Sequence, residues 1–182
     1  ITSSDWPLDN WGSAPLACPK DGPIYAWSAD SGFTNAFVLP GAPFFNGGIF
    51  ISQPQQILVA WGSVQSTGVQ DPMIVRWSDS ADYNNWAVTS QTAAGSFHIP
   101  VGSKIMGGIQ AGLRGIIWTD TDVWIMQYVG GDAVFNFTRI GTGCGLIGRH
   151  AAGVVDDRVF WCGMNTIFVI DNNGVSIVSC SV

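Results

Sequence analysis

Short apolar runs that end on tryptophan and break at an aspartate-rich turn recur along this chain. The clearest copy is Arg76-Trp77-Ser78-Asp79-Ser80-Ala81-Asp82-Tyr83-Asn84-Asn85-Trp86, where the run Met73–Trp77 stops at Asp, Ser and Asn before a second tryptophan. Looser copies are Ile24–Asp30, Ile116–Asp122 and Val159–Cys162. β-Branched and aromatic side chains fit a pleated, half-buried surface, whereas Asp, Ser and Asn hydrogen-bond their own backbone into turns. Trp27, Trp77, Trp118 and Trp161 are spaced 50, 41 and 43 residues apart. A propeller blade repeats at about 40–50 residues, so the spacing predicts an all-β, propeller-like array of short antiparallel strands with about four blades in this chain. Propellers have roughly four to eight blades. The disc is therefore either small or part of a larger propeller completed by residues outside this chain. We favour the second, because no closing strand is recognisable.

Composition agrees with that reading. Only 11% of the 182 residues are charged, and every acid is Asp. Helical surfaces are usually written in Glu, Lys, Ala and Leu, which lose little freedom in a helix; here Glu is absent and Gly numbers 23. A sparsely charged, aromatic-rich surface is expected where neighbours cover it, or where an extended β core consumes the apolar residues. The net charge of −6 argues against wrapping nucleic acid, which needs Lys and Arg on phosphates. It is compatible with a channel through which DNA slides. No run of about 18 apolar residues marks a membrane span, and no basic segment followed by an apolar one marks a signal peptide.

Along the chain, residues 1–23 read as an extended, Pro-punctuated entry segment and 24–182 as the propeller-like domain. Strands are expected at 24–27, 37–39, 49–51, 57–61 (buried on both faces), 73–77, 104–110, 115–118, 123–128, 133–140, 151–155, 158–162, 166–170 and 175–179. Met73–Trp77 and Trp86–Thr89 are expected to pair across the Asp-rich turn, residues 90–103 to connect, and Asn173-Gly174 to close a hairpin. Pro43-Phe44-Phe45-Asn46 reads as an exposed aromatic loop.

The candidate functional residues resolve mostly into structural roles. Asp79, Asp82, Asp120 and Asp122 could bind calcium through paired oxygens, but the remainder of an EF-hand loop is missing, and Asp more often accepts backbone N–H groups and fixes a turn. Trp27, Trp77, Trp86, Trp118, Trp124 and Trp161 could stack on sugars, but most end or lie within apolar strands, where core packing is the commoner role. His98 and His150 lack a partner motif for nucleophilic catalysis, and Gly141-Thr142-Gly143-Cys144-Gly145 lacks the Lys of a phosphate loop. No residue pair is selected for glycoside hydrolysis, which needs one acid with a raised pKa. We expect no catalytic, cofactor or metal site. Cys18, Cys144, Cys162 and Cys180 show no zinc spacing and read as reduced thiols, with a Cys144–Cys180 bridge left open by spacing alone.

Two resemblances follow. Ser28–Thr34 resembles the Asp-box turn of sialidase-like propellers, with Asn35 where an aromatic is expected. Over nearly the whole chain, a set of phrases resembles tailed-bacteriophage tail nozzle or hub proteins, also called packaged-DNA stabilisation proteins: Leu8-Asp9-Asn10-Trp11-Gly12 with Leu16–Pro19, Arg76–Asp79 through Trp86, Trp118–Thr121, Tyr128-Val129-Gly130, Phe135-Asn136-Phe137, Gly141–Gly148 and Cys180-Ser181-Val182. The resemblance implies a structural virion protein, made in the host cytoplasm. Such proteins bear a β-propeller, form a cyclic ring of copies that is often six-fold, and contact adjacent tail and portal-adaptor proteins. Phage DNA passes through without sequence-specific binding. The family is commonly much longer than this chain and offers no catalytic residues. Phe44 and Phe45 are expected at a contact between copies. The rival readings are a carbohydrate-binding propeller, lectin-like or a tail adhesin, and a glycosidase on the same fold.

Overall fold

The computed structural model describes residues 5–28, 35–65, 67–156, 158–171 and 174–179. Sixteen short strands run through them, with a single 3-10 turn at Gly131–Ala133 and no α-helix among the described residues. The strands form four separate four-stranded sheets, each an antiparallel meander in chain order. Sheet 1 holds β1 (Leu8–Trp11), β2 (Ala14–Ala17), β3 (Tyr25–Ala26) and β4 (Phe37–Val38). Sheet 2 holds β5 (Gly48–Ser52), β6 (Ile57–Trp61), β7 (Ile74–Trp77) and β8 (Gly95–His98). Sheet 3 holds β9 (Ile105–Ala111), β10 (Arg114–Thr119), β11 (Asp122–Gly130) and β12 (Val134–Thr142). Sheet 4 holds β13 (Ala152–Val155), β14 (Arg158–Cys162), β15 (Ile167–Asp171) and β16 (Gly174–Ile177).

The chain divides into two compact units, Ile1–Pro100 and Val101–Val182. Within the first, sheets 1 and 2 pack face to face around Leu16, Ile24, Ile49, Ile51, Leu58 and Trp86. The Asp9 carboxylate bridges the two sheets by accepting the β5 amide of Ile51 at 2.7 Å. Within the second unit, sheets 3 and 4 enclose Ile116, Trp118, Val123, Val159, Trp161 and Ile170. Every residue of β5 and β6 is buried, as the unbroken apolar run of β6 predicts for that strand.

Tryptophan and glycine abundance have one cause in sheet 2. Gly48 is registered opposite Trp61 and Gly95 opposite Trp77. In each pair the indole lies across the glycine, where any Cβ would collide with the ring. A flat aromatic on one strand thus requires a bare backbone on the next.

The structure differs from the sequence reading in four respects. Residues 8–17, within the expected entry segment, supply the first two strands of sheet 1. Trp86–Thr89 is not a strand; β7 pairs instead with β8, from the stretch expected to connect. Asn46 is fully buried beneath the aromatic loop. Finally, the evenly spaced tryptophans are not equivalent: Trp77 ends the third strand of its sheet, whereas Trp118 and Trp161 lie in second strands, where sheet 2 carries Trp61. The turn at 29–34, Asn173 and Cys180 lie outside the described residues.

Candidate functional site

The four candidate aspartates sit at two turns, one in each unit, and each makes hydrogen bonds within the chain. Asp79 follows β7. Its Oδ1 accepts the amides of Ser80 and Ala93, each at 2.8 Å, and its Oδ2 accepts Asn85 Nδ2 at 3.2 Å. Asp82 accepts the Asn84 amide at 2.9 Å. These bonds, with Trp77 Nε1 donating to the Ala93 carbonyl and Trp86 Nε1 to the Tyr83 carbonyl, close the 78–94 segment into a stapled loop. Tyr83 packs edge-on against Trp11 at 5.1 Å, and Trp86 enters the core of the first unit.

In the second unit Asp120 accepts the Ser103 amide at 2.8 Å, the Ser103 hydroxyl and, more weakly, the Lys104 amide at 3.5 Å. Burial pushes its carboxyl up, but the Ser103 and Lys104 bonds outweigh burial and hold it below the usual carboxylate range. Asp122 is buried at the start of β11. Its amide donates to Thr119 Oγ1 at 2.9 Å, and its carboxylate meets Arg139 at 3.4 Å.

Trp77, Trp86, Trp118, Trp124 and Trp161 are buried, and Trp27 is half-buried. Trp161 stacks on Phe168 at 5.4 Å and donates Nε1 to the Cys144 carbonyl at 2.7 Å. Burial, reinforced by the Asp122 charge, pushes the Cys144 thiol up. Cys18 and Cys144 are buried and Cys162 is exposed; all three are free thiols.

Phe44 and Phe45 are exposed and meet edge to face at 5.3 Å. Their footing is a polar hub that the sequence concealed. Asn46 Nδ2 donates to the carbonyls of Pro43 (2.7 Å) and Gly22 (3.3 Å), and Oδ1 accepts the Ser63 hydroxyl at 2.7 Å. The Asn46 backbone also bridges to Gly22. A turn-forming Asn beside two phenylalanines reads locally as solvent-facing; only the contacts with residues 22 and 63 bury it.

Among the described residues, no group of three or more His, Cys or Asp side chains is placed to hold a metal ion. A cavity of about 170 Å³ opens in the second unit between the β9–β10 turn and the β13–β14 turn. Arg114 and Asp156 line it, over a floor of Ile116, Val159 and Ile170. It contains none of the expected site residues. Among the described residues, no helix is long and apolar enough to cross a membrane. No protein-family model matches the chain, and no curated protein matches it.

Proposed function

We propose that this chain is a propeller-forming structural part of a bacteriophage tail nozzle or hub, working by assembly and not by catalysis. The observation that carries the reading is the succession of four four-stranded antiparallel meanders, the construction of a propeller blade. Those of the sequence phrases resembling nozzle proteins that lie within the described residues fall on these meanders and the turns between them. The chemistry of the candidate residues points the same way: the Asp79 and Asp120 carboxylates hold backbone amides of neighbouring segments, and the indoles fill sheet faces. The mechanism is mechanical. Rigid sheets pack side by side, copies form a ring, and the ring guides DNA outward. The acidic balance, −6 overall, suits a lumen wall that repels phosphate and lets the duplex slide. The stapled footing of Phe44 and Phe45 holds two aromatic side chains ready for a neighbouring protein at little entropic cost.

The test is mass measurement of the intact chain combined with negative-stain imaging. Ring-shaped oligomers are expected. Turnover of a sugar substrate that disappears on a single Asp→Asn change would replace this reading with the glycosidase one.

A further inference from the structure

Sheets 1 and 4 each bury one face and leave the other bare. In the first unit, Leu16 and Ala26 point into the core. The alternate row Leu8, Ala17, Tyr25 and Val38, in register across all four strands, therefore faces away from sheet 2. Trp6 extends this row, its ring 5.4 Å from Tyr25. Leu8 is 72% exposed, and Trp6 and Val38 are exposed as well. None of these five side chains is charged.

In the second unit, Val159, Trp161 and Ile170 point into the core, so Phe160 and Val169, flanked by Gly153 and Ser176, form the opposite face. Ile167 lies on that face opposite Cys162, and Val155, 59% exposed, lies opposite Arg158.

Resting on the ring reading above, we propose that these two faces are the halves of one contact between copies: the outer face of sheet 1 packs on the outer face of sheet 4 of the next copy. Three observations favour a second copy, in this orientation. Sheet-on-sheet packing is how each unit is already built, so each bare face matches a kind of surface the chain itself presents. The faces are unlike, and a contact between unlike faces can propagate into a ring. Charge also selects against pairing one sheet 1 face with another. Residues 1–100 carry seven Asp against Lys20 and Arg76, a net −5. Residues 101–182 carry six Asp against Lys104, Arg114, Arg139, Arg149 and Arg158, a net −1. Two sheet 1 faces would bring two −5 units together; the mixed pairing sets that unit beside the one holding five of the seven cations, where the mating face carries Arg158 together with Asp171.

With strands about 4.8 Å apart, the sheet 4 face covers about 300 Å², and the sheet 1 face, whose last two strands are two residues each, about 200 Å², well under the about 800 Å² per partner of a standard interface. A single contact is therefore weak and shows itself at high concentration, or when a closed ring multiplies it.

The experiment is sedimentation velocity and native mass spectrometry of the full chain over a concentration series, with Leu8→Asp blocking the sheet 1 face and Ile167→Asp the sheet 4 face. Both positions are exposed, and circular dichroism verifies the fold; Val38→Glu and Val155→Glu form a second pair should either variant misfold. Wild type is expected to assemble with concentration, and each variant alone to need about tenfold or more protein to do so. An equimolar mixture of the two variants is expected to stop at a dimer, because one intact face remains on each partner. A wild type that stays monomeric throughout overturns the proposal, as do variants that assemble like wild type or a mixture that remains monomeric. Assembly into open filaments that both variants abolish sinks the ring and keeps the contact. A ring indifferent to both variants sinks the contact and keeps the ring.

Discussion

Replacing Asn46 with leucine isolates what a buried polar hub is worth to the first unit. Leucine is close to asparagine in volume, so the change mainly deletes hydrogen-bonding capacity. The Pro43 carbonyl loses its 2.7 Å donor, and the Ser63 hydroxyl loses the acceptor 2.7 Å away. The Gly22 carbonyl keeps the Asn46 backbone amide at 3.1 Å and is spared. Two polar groups are thus left without partners in a site closed to water: Asn46 and Ser63 are both fully buried. At about 1–3 kcal/mol for each orphaned group, the loss is about 2–6 kcal/mol. A domain of this size holds about 5–15 kcal/mol in total, so the midpoint of urea unfolding, followed by tryptophan fluorescence, should fall steeply. Ser63→Ala in the Asn46→Leu background removes one of the two orphans. The double variant should therefore be more stable than the sum of the single changes by about 1 kcal/mol or more. A cost for Asn46→Leu below about 0.5 kcal/mol, the range of an ordinary surface substitution, would refute the argument, as would strict additivity with Ser63→Ala.

Three further outcomes follow from the same geometry. Asp79→Ala frees the amides of Ser80 and Ala93; limited proteolysis in the exposed stretch 87–91 should accelerate, with a stability loss of about 1–3 kcal/mol. Trp161→Ala removes the indole stacked on Phe168 and bonded to the Cys144 carbonyl, and should cost about 3–5 kcal/mol by thermal denaturation. Asp120 has a folded pKa below its unfolded value, so its contribution is present above the unfolded pKa of about 3.9 and is lost as pH falls through the folded one. Acid titration of Asp120→Asn should show a shallower stability loss in that window than wild type, while an identical pH profile would remove Asp120 from the account.

The strands were legible because they are written locally, in β-branched and aromatic runs bounded by Gly, Asn and Asp. Ile57–Trp61, Arg158–Cys162 and Ile167–Asp171 lie within a residue of their expected bounds. Pairing was less legible because it depends on residues far apart. Trp86–Thr89 has the composition of a strand, yet β7 pairs with Gly95–His98, where Gly95 leaves room for the Trp77 indole. Pro15 suggested an open entry segment, but it sits within β2 and its carbonyl accepts the Trp27 amide at 3.1 Å. The equal spacing of Trp27, Trp77, Trp118 and Trp161 masked a change of strand, because sheet 2 inserts the long stapled loop 78–94 between its third and fourth strands. Among the candidate residues, the aspartate turns were readable from Asx chemistry. Asn46 was not, since its burial is set by Gly22 and Ser63.

The placement of the indole rings also shows where the scaffold and sugar-binding proposals would differ. A sugar platform needs an indole whose face is open to solvent. Trp61, Trp77, Trp86, Trp118, Trp124 and Trp161 are buried, and Trp11 and Trp27 are half-buried. Trp6 is the exception at 41% exposed, and its ring leans on Tyr25 at an interplanar angle of 39°. If this chain worked as a lectin, Trp6 is the one indole exposed enough to serve as a sugar platform; if the outer face of sheet 1 is an assembly surface, the same indole serves protein contact. Trp6→Ser should therefore weaken self-association and leave glycan-array signals at the level of wild type. Strong glycan binding by wild type that vanishes in Trp6→Ser, with the oligomeric state unchanged, would reverse the assignment of that face and favour the carbohydrate-binding propeller over the ring.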